Sequence, residues 1–218
     1  MKVMMEWSYR LPKKPSAEFT SGWMEAEDAL TVTEDLEKSG RLKNVAYIDE
    51  QGASWTKKEL KKLIIEIEDE PKNVTVFFDG GYRKEEGMAG TGIALYYQMG
   101  NKQYRIRANA RYENLESNNE AEYAAFFEGV KQLEELGVRH QRCQFKGDSL
   151  VVLNQLSGEW PCLEETLNKW IDRIEQKLDQ LSIKADYISV DRKGNQEAHQ
   201  LASQALKGEE ILSRLEII

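Results

Sequence analysis

The 218 residues contain only two cysteines, Cys143 and Cys162. That excludes a disulfide framework, and without a partner at ligand spacing it excludes a cysteine zinc site; both thiols are expected to be reduced and structural. Histidine is as scarce, at two residues, so the placement of each is informative. No apolar run approaches the length needed to span a bilayer, and the opening MKVMMEWSYRLPKKP lacks the uninterrupted apolar core of a signal peptide. No membrane association is therefore expected, and the protein is expected to stay in the cytoplasm. Positive charge is also short: 30 basic against 38 acidic residues leave a net charge of −8, which excludes holding nucleic acid by bulk charge alone. Any polyanion must be bound locally and with the help of metal ions. What is present, at 40% apolar and 31% charged residues, is the composition of a soluble globular chain with room for one good core and a small second domain.

Residues 1–70 read as a small α+β domain. One helix carries Ala26, Ala29, Leu30, Thr33 and Leu36 at helical spacing and ends near Gly40. A second opens on the capping box Thr56-Lys57-Lys58-Glu59 and repeats Leu60, Leu63, Ile64 and Ile67. Between them NVAYIDEQGASW reads as a strand pair turning at Gln51-Gly52. The acidic EIEDEPKN, with its helix-stopping Pro71, reads as a junction to the next domain.

From Val74 the pattern changes. VTVFFD reads as a short apolar strand ending in Asp79, with Gly80 and Gly81 behind it. TGIALYYQ and KQYRIRANARY, joined at Gly100-Asn101, complete an antiparallel meander. A long helix follows, with Tyr123, Phe126, Phe127, Val130 and Leu133 on one face. Then come a strand CQFKGD, a short helix, a longer one on Leu167, Trp170, Ile171, Ile174 and Leu178, and a strand KADYISV. The closing helix NQEAHQLASQAL buries Ala198, Leu201, Ala202, Ala205 and Leu206, with His199 beside that face near the helix start. Antiparallel strands followed by strand and helix in alternation imply an α/β domain with a mixed sheet covered by helices. Residues 208–218 are left as a tail, Trp160 is expected in the core, and His140 at the surface.

Asp79 and Asp148 both close strands, and adjacent strand ends in α/β sheets converge where ligands bind. Ser117 and Glu120 have capping-box spacing, which makes Glu120 structural, whereas Glu122 directly precedes the core residue Tyr123 and points toward the sheet. A carboxylate so placed needs a counter-charge, which divalent cations shared with Asp79 and Asp148 would supply.

FFDGG, SNNEAEYAA, GDSLVVLNQLSGEW and VDRKGNQEAHQLASQAL together resemble the consecutive motifs of the ribonuclease H family, in its bacterial type-1-like branch, over residues 74–207. The resemblance implies the RNase H-like fold, a five-stranded mixed sheet with helices on both faces. It also implies cleavage of the RNA strand of an RNA/DNA hybrid with two magnesium or manganese ions. Asp79, Glu122 and Asp148 match three of the family's four metal-binding carboxylates, and His199 stands in the place of the fourth, an aspartate. As a metal ligand, a neutral imidazole there would lower metal affinity and shift preference toward manganese. Glu197, two helical residues away, should point elsewhere.

By the same resemblance, Asn118 and Asn119 would contact nucleotides near the cut and Arg192 a phosphate; read from the residues alone, they are helix caps and a solvated charge. Gly80 and Gly81 would let the nucleic-acid backbone approach closely. Two other readings stay open: a catalytically weak or inactive nucleic-acid binder on the same fold, and a protein-interaction module led by the N-terminal domain. That domain is acidic and has no assigned role; docking another protein or supporting the first strand of the second domain would both suit it.

Overall fold

A computed structural model describes residues 1–10 and 13–217, apart from the side chain of residue 68. The chain divides into two compact units, Met1–Asp69 and Glu70 onward. Among the described residues no helix is long and apolar enough to cross a membrane.

The first unit opens with a hairpin, β1 (Lys2–Arg10) and β2 (Ser16–Glu25), followed by α1 (Ala26–Lys38), β3 (Leu42–Asp49), β4 (Ser54–Trp55) and α2 (Lys57–Glu68). Its sheet runs β2-β1-β3-β4, with every neighbour antiparallel. Val3, Met5, Tyr47 and Leu60 are buried with Ala29 of α1 in its core. Thr56 and Glu59 form the expected capping box at the start of α2. The hairpin is absent from the sequence reading. A register shift between Met4 and Glu6 interrupts the two-residue alternation by which a strand is recognised.

The second unit is a six-stranded mixed sheet. Its elements are β5 (Lys72–Arg83), β6 (Met88–Met99), β7 (Lys102–Glu113), α3 (Asn118–Glu135), β8 (Arg142–Gly147), α4 (Leu150–Leu156), α5 (Glu165–Leu181), β9 (Lys184–Ser189), α6 (Gln196–Leu206) and β10 (Leu212–Ile217). The order is β10-β7-β6-β5-β8-β9, with β5, β8 and β9 parallel and the remaining pairs antiparallel. The mixed sheet flanked by helices is as expected, with one strand added. Residues expected as a tail contain β10, held to β7 from Leu212↔Ala108 to Ile217↔Gln103. Asn109 makes this join: its side chain accepts from Ile211 N at 2.7 Å and donates to Glu209 O at 2.8 Å and to Leu201 O of α6 at 3.1 Å. Such a clamp is tertiary and leaves no periodic trace in LSRLEI.

Two further expectations change. Strand β5 does not stop at Asp79 but runs on through Gly80 and Gly81, paired with Thr91 and Gly90 of β6. Trp160 is 46% exposed rather than in the core, because it follows the short helix α4 in a turn that folds back on Asn154. The aromatic part of the core instead includes Phe78, Phe126 and Phe145, with half-buried Tyr187 packed against it; Phe126 stacks on Phe145 at 4.4 Å and meets Phe78 edge-on at 5.1 Å.

Helices cover both faces, and glycines set how closely they approach. A Cβ on Gly80 would lie 2.3–2.4 Å from the backbone of Ala121 and Glu122 in α3. On the opposite face, a Cβ on Gly92 would lie 2.0 Å from Ala198 O, and one on Gly90 2.4 Å from Ala202 O, both in α6. Gly92→Ala should therefore force α6 off the sheet, at a cost of about 1–3 kcal/mol or more. Urea unfolding of the variant beside the wild type measures this; equal stability would show that α6 can shift without loss.

Candidate active site

Successive residues of a strand face opposite sides of the sheet. Phe78 and Gly80 face α3, whereas Asp79 and Gly81 face α6: the Cβ position of Gly81 lies 3.1 Å from Leu206 Cδ1. The room that Gly80 leaves is thus filled by the chain itself. The close approach expected of a nucleic-acid backbone at this glycine is made by α3, whose first turns bring Glu122 against β5. Gly80 N donates to Glu122 Oε2 at 3.1 Å, which fixes the carboxylate from the strand backbone.

Asp148 follows the last residue of β8, the parallel neighbour of β5. One carboxylate oxygen from each of Asp79, Glu122 and Asp148 lies within 4.8 Å of the others. Asp79 and Glu122 are buried, and Asp148 is half-buried. Glu120 does not join them. It accepts from Glu116 N at 2.8 Å and from Trp170 Nε1 at 3.0 Å, while Ser117 caps its backbone N–H. It is structural as expected, although it reaches Glu116 rather than completing a reciprocal box. Glu197 also points away, to Arg105 and Arg107 at 3.2 Å each and to the Tyr96 hydroxyl.

Burial governs the charge state of the cluster. Loss of hydration raises Glu122 to about 9, and the neighbouring Asp79 and Asp148 charges push it the same way. Burial raises Asp79 to about 6, against the opposing hydrogen bond from His199. Two carboxylates that resist ionisation alone are matched to divalent cations, which favour their ionised form. All three donors are hard oxygen ligands, so the residues present fit magnesium or manganese.

His199 sits beside this cluster, not among its converging oxygens. Nδ1 lies 3.2 Å from Asp79 Oδ2 and Nε2 3.0 Å from Arg192 Nη2. Arg192 is thereby brought to the site, with its side chain otherwise facing solvent. Asn118 is exposed and Asn119 half-buried in the first turn of α3. Neither is the cap, since Ser117 occupies that position. His140 is exposed, after the end of α3.

Sequence reasoning missed one residue, Asn195. It is almost wholly buried, and its Nδ2 donates to Phe78 O at 2.8 Å and to Asp148 Oδ1 at 2.9 Å. Both neighbours are acceptors, so the amide orientation is determined. Asn195 ties the carboxylate after β8 to the backbone of β5 just before Asp79. Its place at the start of the closing helix was visible in the sequence; a reach of 47 positions back to Asp148 was not.

A family model described as reverse transcriptase-like matches residues 77–205. The chain is 42% identical over 199 residues to the uncharacterized protein YpeP of Bacillus subtilis strain 168, covering 91% of this chain and 88% of that one. Among solved structures, it resembles RNase H1 from the halophilic archaeon Halobacterium salinarum NRC-1 at 26% identity and a TM-score of 0.55, over 62% of this chain and 98% of that one. The N-terminal RNase H domain of a Mycobacterium tuberculosis protein, solved as a maltose-binding-protein fusion, matches at 26% identity and a TM-score of 0.53, over 63% and 95%. LC11-RNase H1, solved in complex with an RNA/DNA hybrid, shares the fold at 22% identity and a TM-score of 0.55, over 62% and 98%.

The raised Glu122 makes stability depend on pH. The folded protein holds a proton on Glu122 up to about pH 9, while the unfolded chain releases it near the ordinary 4.5. This contribution is fully present below 4.5 and is lost as pH rises toward 9. In metal-free buffer Glu122→Gln should raise the melting temperature at pH 8 and change it little at pH 4.5, as calorimetry at the two values would show. The same change at both pH values would mean that the carboxylate is not held protonated by the fold.

Proposed function

The chain belongs to the reverse transcriptase-like, RNase H family, and from that premise we propose that it is a metal-dependent endoribonuclease cutting the RNA strand of RNA/DNA hybrids. The observation that carries this reading is the convergence of Asp79, Glu122 and Asp148 within 4.8 Å. Magnesium or manganese ions, two by family resemblance, would be held by these carboxylates and would supply an acidified water and Lewis-acid stabilisation of the scissile phosphate.

The chain's own residues prepare that site. Gly80 N holds Glu122, Asn195 holds Asp148, and His199 holds Asp79, so each carboxylate has a hydrogen-bonding partner within the protein. Arg192 presents a guanidinium at the rim, suited to a phosphate. Asn118 and Asn119 lie in the turn of α3 that precedes Glu122 and, by the family resemblance, would contact nucleotides near the cut. Gly80 and Gly81 serve substrate binding indirectly, by keeping the strand close to both helices. The cytoplasm suits Cys143 and Cys162, which are both free thiols.

One observation favours a second reading. With His199 in the fourth position, the site has one anionic ligand fewer, which suits a binder with weak chemistry. Cleavage of a labelled RNA/DNA hybrid, in magnesium and separately in manganese, separates the two. The nuclease predicts wild-type cleavage that falls at least about a hundredfold in Asp79→Asn, a loss of about 2.7 kcal/mol or more in transition-state stabilisation. Hybrid binding without cleavage in either metal would leave only the binder.

A further inference from the structure

His199 replaces a carboxylate, and its surroundings define a different task. Arg192 Nη2 lies 3.0 Å from His199 Nε2. A guanidinium can only donate, so Nε2 must offer its lone pair. The neutral ring then carries its proton on Nδ1, which faces Asp79 Oδ2 at 3.2 Å and donates to it. Both ring nitrogens are committed, and neither has a lone pair left for a cation. The three converging carboxylate oxygens do not include His199 in their cluster.

The loop carrying Arg192 is itself shaped for this contact. Gly194 N donates to Asp191 Oδ1 at 2.7 Å, and Asn195 N donates to Asp191 O at 3.1 Å, which closes the turn directly before α6. Arg192 leaves that turn exposed and returns to the ring of His199 one helical turn on. A long exposed side chain normally samples many rotamers, and ordering it on binding costs free energy. Here a stiff aromatic ring, anchored on the buried Asp79, orders it in advance.

We propose that His199 is a positioning residue and not a metal ligand: its neutral ring bridges Asp79 to Arg192 and fixes the guanidinium at the rim of the carboxylate cluster as a phosphate anchor. The position that would otherwise add negative charge to the metal site instead delivers a positive group to the nucleic acid. The nature of the anchored anion rests on the hybrid-nuclease reading; the bridge itself does not.

Two measurements on the full chain test this. Pulsed electron paramagnetic resonance of the manganese-loaded protein should show no directly coordinated histidine nitrogen. Such a coupling, present in wild type and lost in His199→Ala, would overturn the proposal. Hybrid binding is then measured with calcium in place of the catalytic metal. Arg192→Ala and His199→Ala should each weaken binding about tenfold, the scale of one charge-assisted hydrogen bond, and the double variant no further. His199→Asn, which keeps a donor for Asp79 but cannot reach Arg192, should bind as weakly as His199→Ala. Replacing the neutral His199 should also lower the salt dependence of binding by about one phosphate contact, as removal of Arg192 itself does. A purely structural role would not change that slope. Independent losses that multiply to about a hundredfold in the double variant, or an unchanged salt slope in His199→Ala, would overturn the coupling. Wild type that neither binds nor cuts the hybrid would instead remove the nuclease reading and the anchor together, leaving the spectroscopic result to decide the bridge.

Discussion

The site depends on two helices reaching the same pair of strands from opposite faces, closer than any side chain would allow. At Gly80 the backbone of α3 occupies the space of a Cβ, and at Gly90 and Gly92 the backbone of α6 does so. Asp79 lies between these contacts in the middle of β5. Because α3 comes so near, Glu122 reaches the amide of Gly80; because α6 comes so near, His199 reaches Asp79. A sheet with ordinary side chains at these positions would hold each helix farther off, and the same residues would miss one another.

That proximity sets the electrostatics. Burial and mutual repulsion raise Glu122 to about 9, and burial raises Asp79 to about 6. Among the described residues no lysine or arginine forms a salt bridge with Glu122 or Asp148. Arg192 and His199 offset burial only in part, so the fold concentrates carboxylates with little internal counter-charge, an arrangement that costs stability and suits added cations. Chain-wide acidity, at a net charge of −8, does not oppose this. On the proposed reading, attraction for a polyanion would be confined to the site and its rim, where Arg192 stands.

The sixth strand belongs to the same construction. Asn109 holds the segment leading into β10 and also donates to Leu201 O in the middle of α6. The helix that carries His199 is thus pinned by glycine contacts along one side and by this amide further on. Asn195, at the start of that helix, ties it to both β5 and Asp148. The position of α6 is determined at several places, and the groups it presents to the site are correspondingly fixed.

Much of this was legible in the sequence, for reasons of periodicity and spacing. The helical faces built on Leu60, Phe126, Trp170 and Leu201, the capping box at Thr56, and the carboxylates Asp79, Glu122 and Asp148 all follow from local pattern or motif order. Local pattern failed where the constraint was not local. The bulge in β1 hid a hairpin, the Asn109 clamp made a strand of an apparent tail, and strand β5 ran past two glycines that looked like its end. Which residue types stand near the site could be read along the chain, because motif order and side-chain period are local properties. What each one touches came only with the packed fold: Gly80 makes room for α3, Asn195 bonds to Asp148, and His199 directs its two ring nitrogens to Asp79 and Arg192. A hydrogen bond is settled by distances of a few tenths of an ångström between atoms far apart in the chain, and those distances exist only once the helices have closed on the sheet.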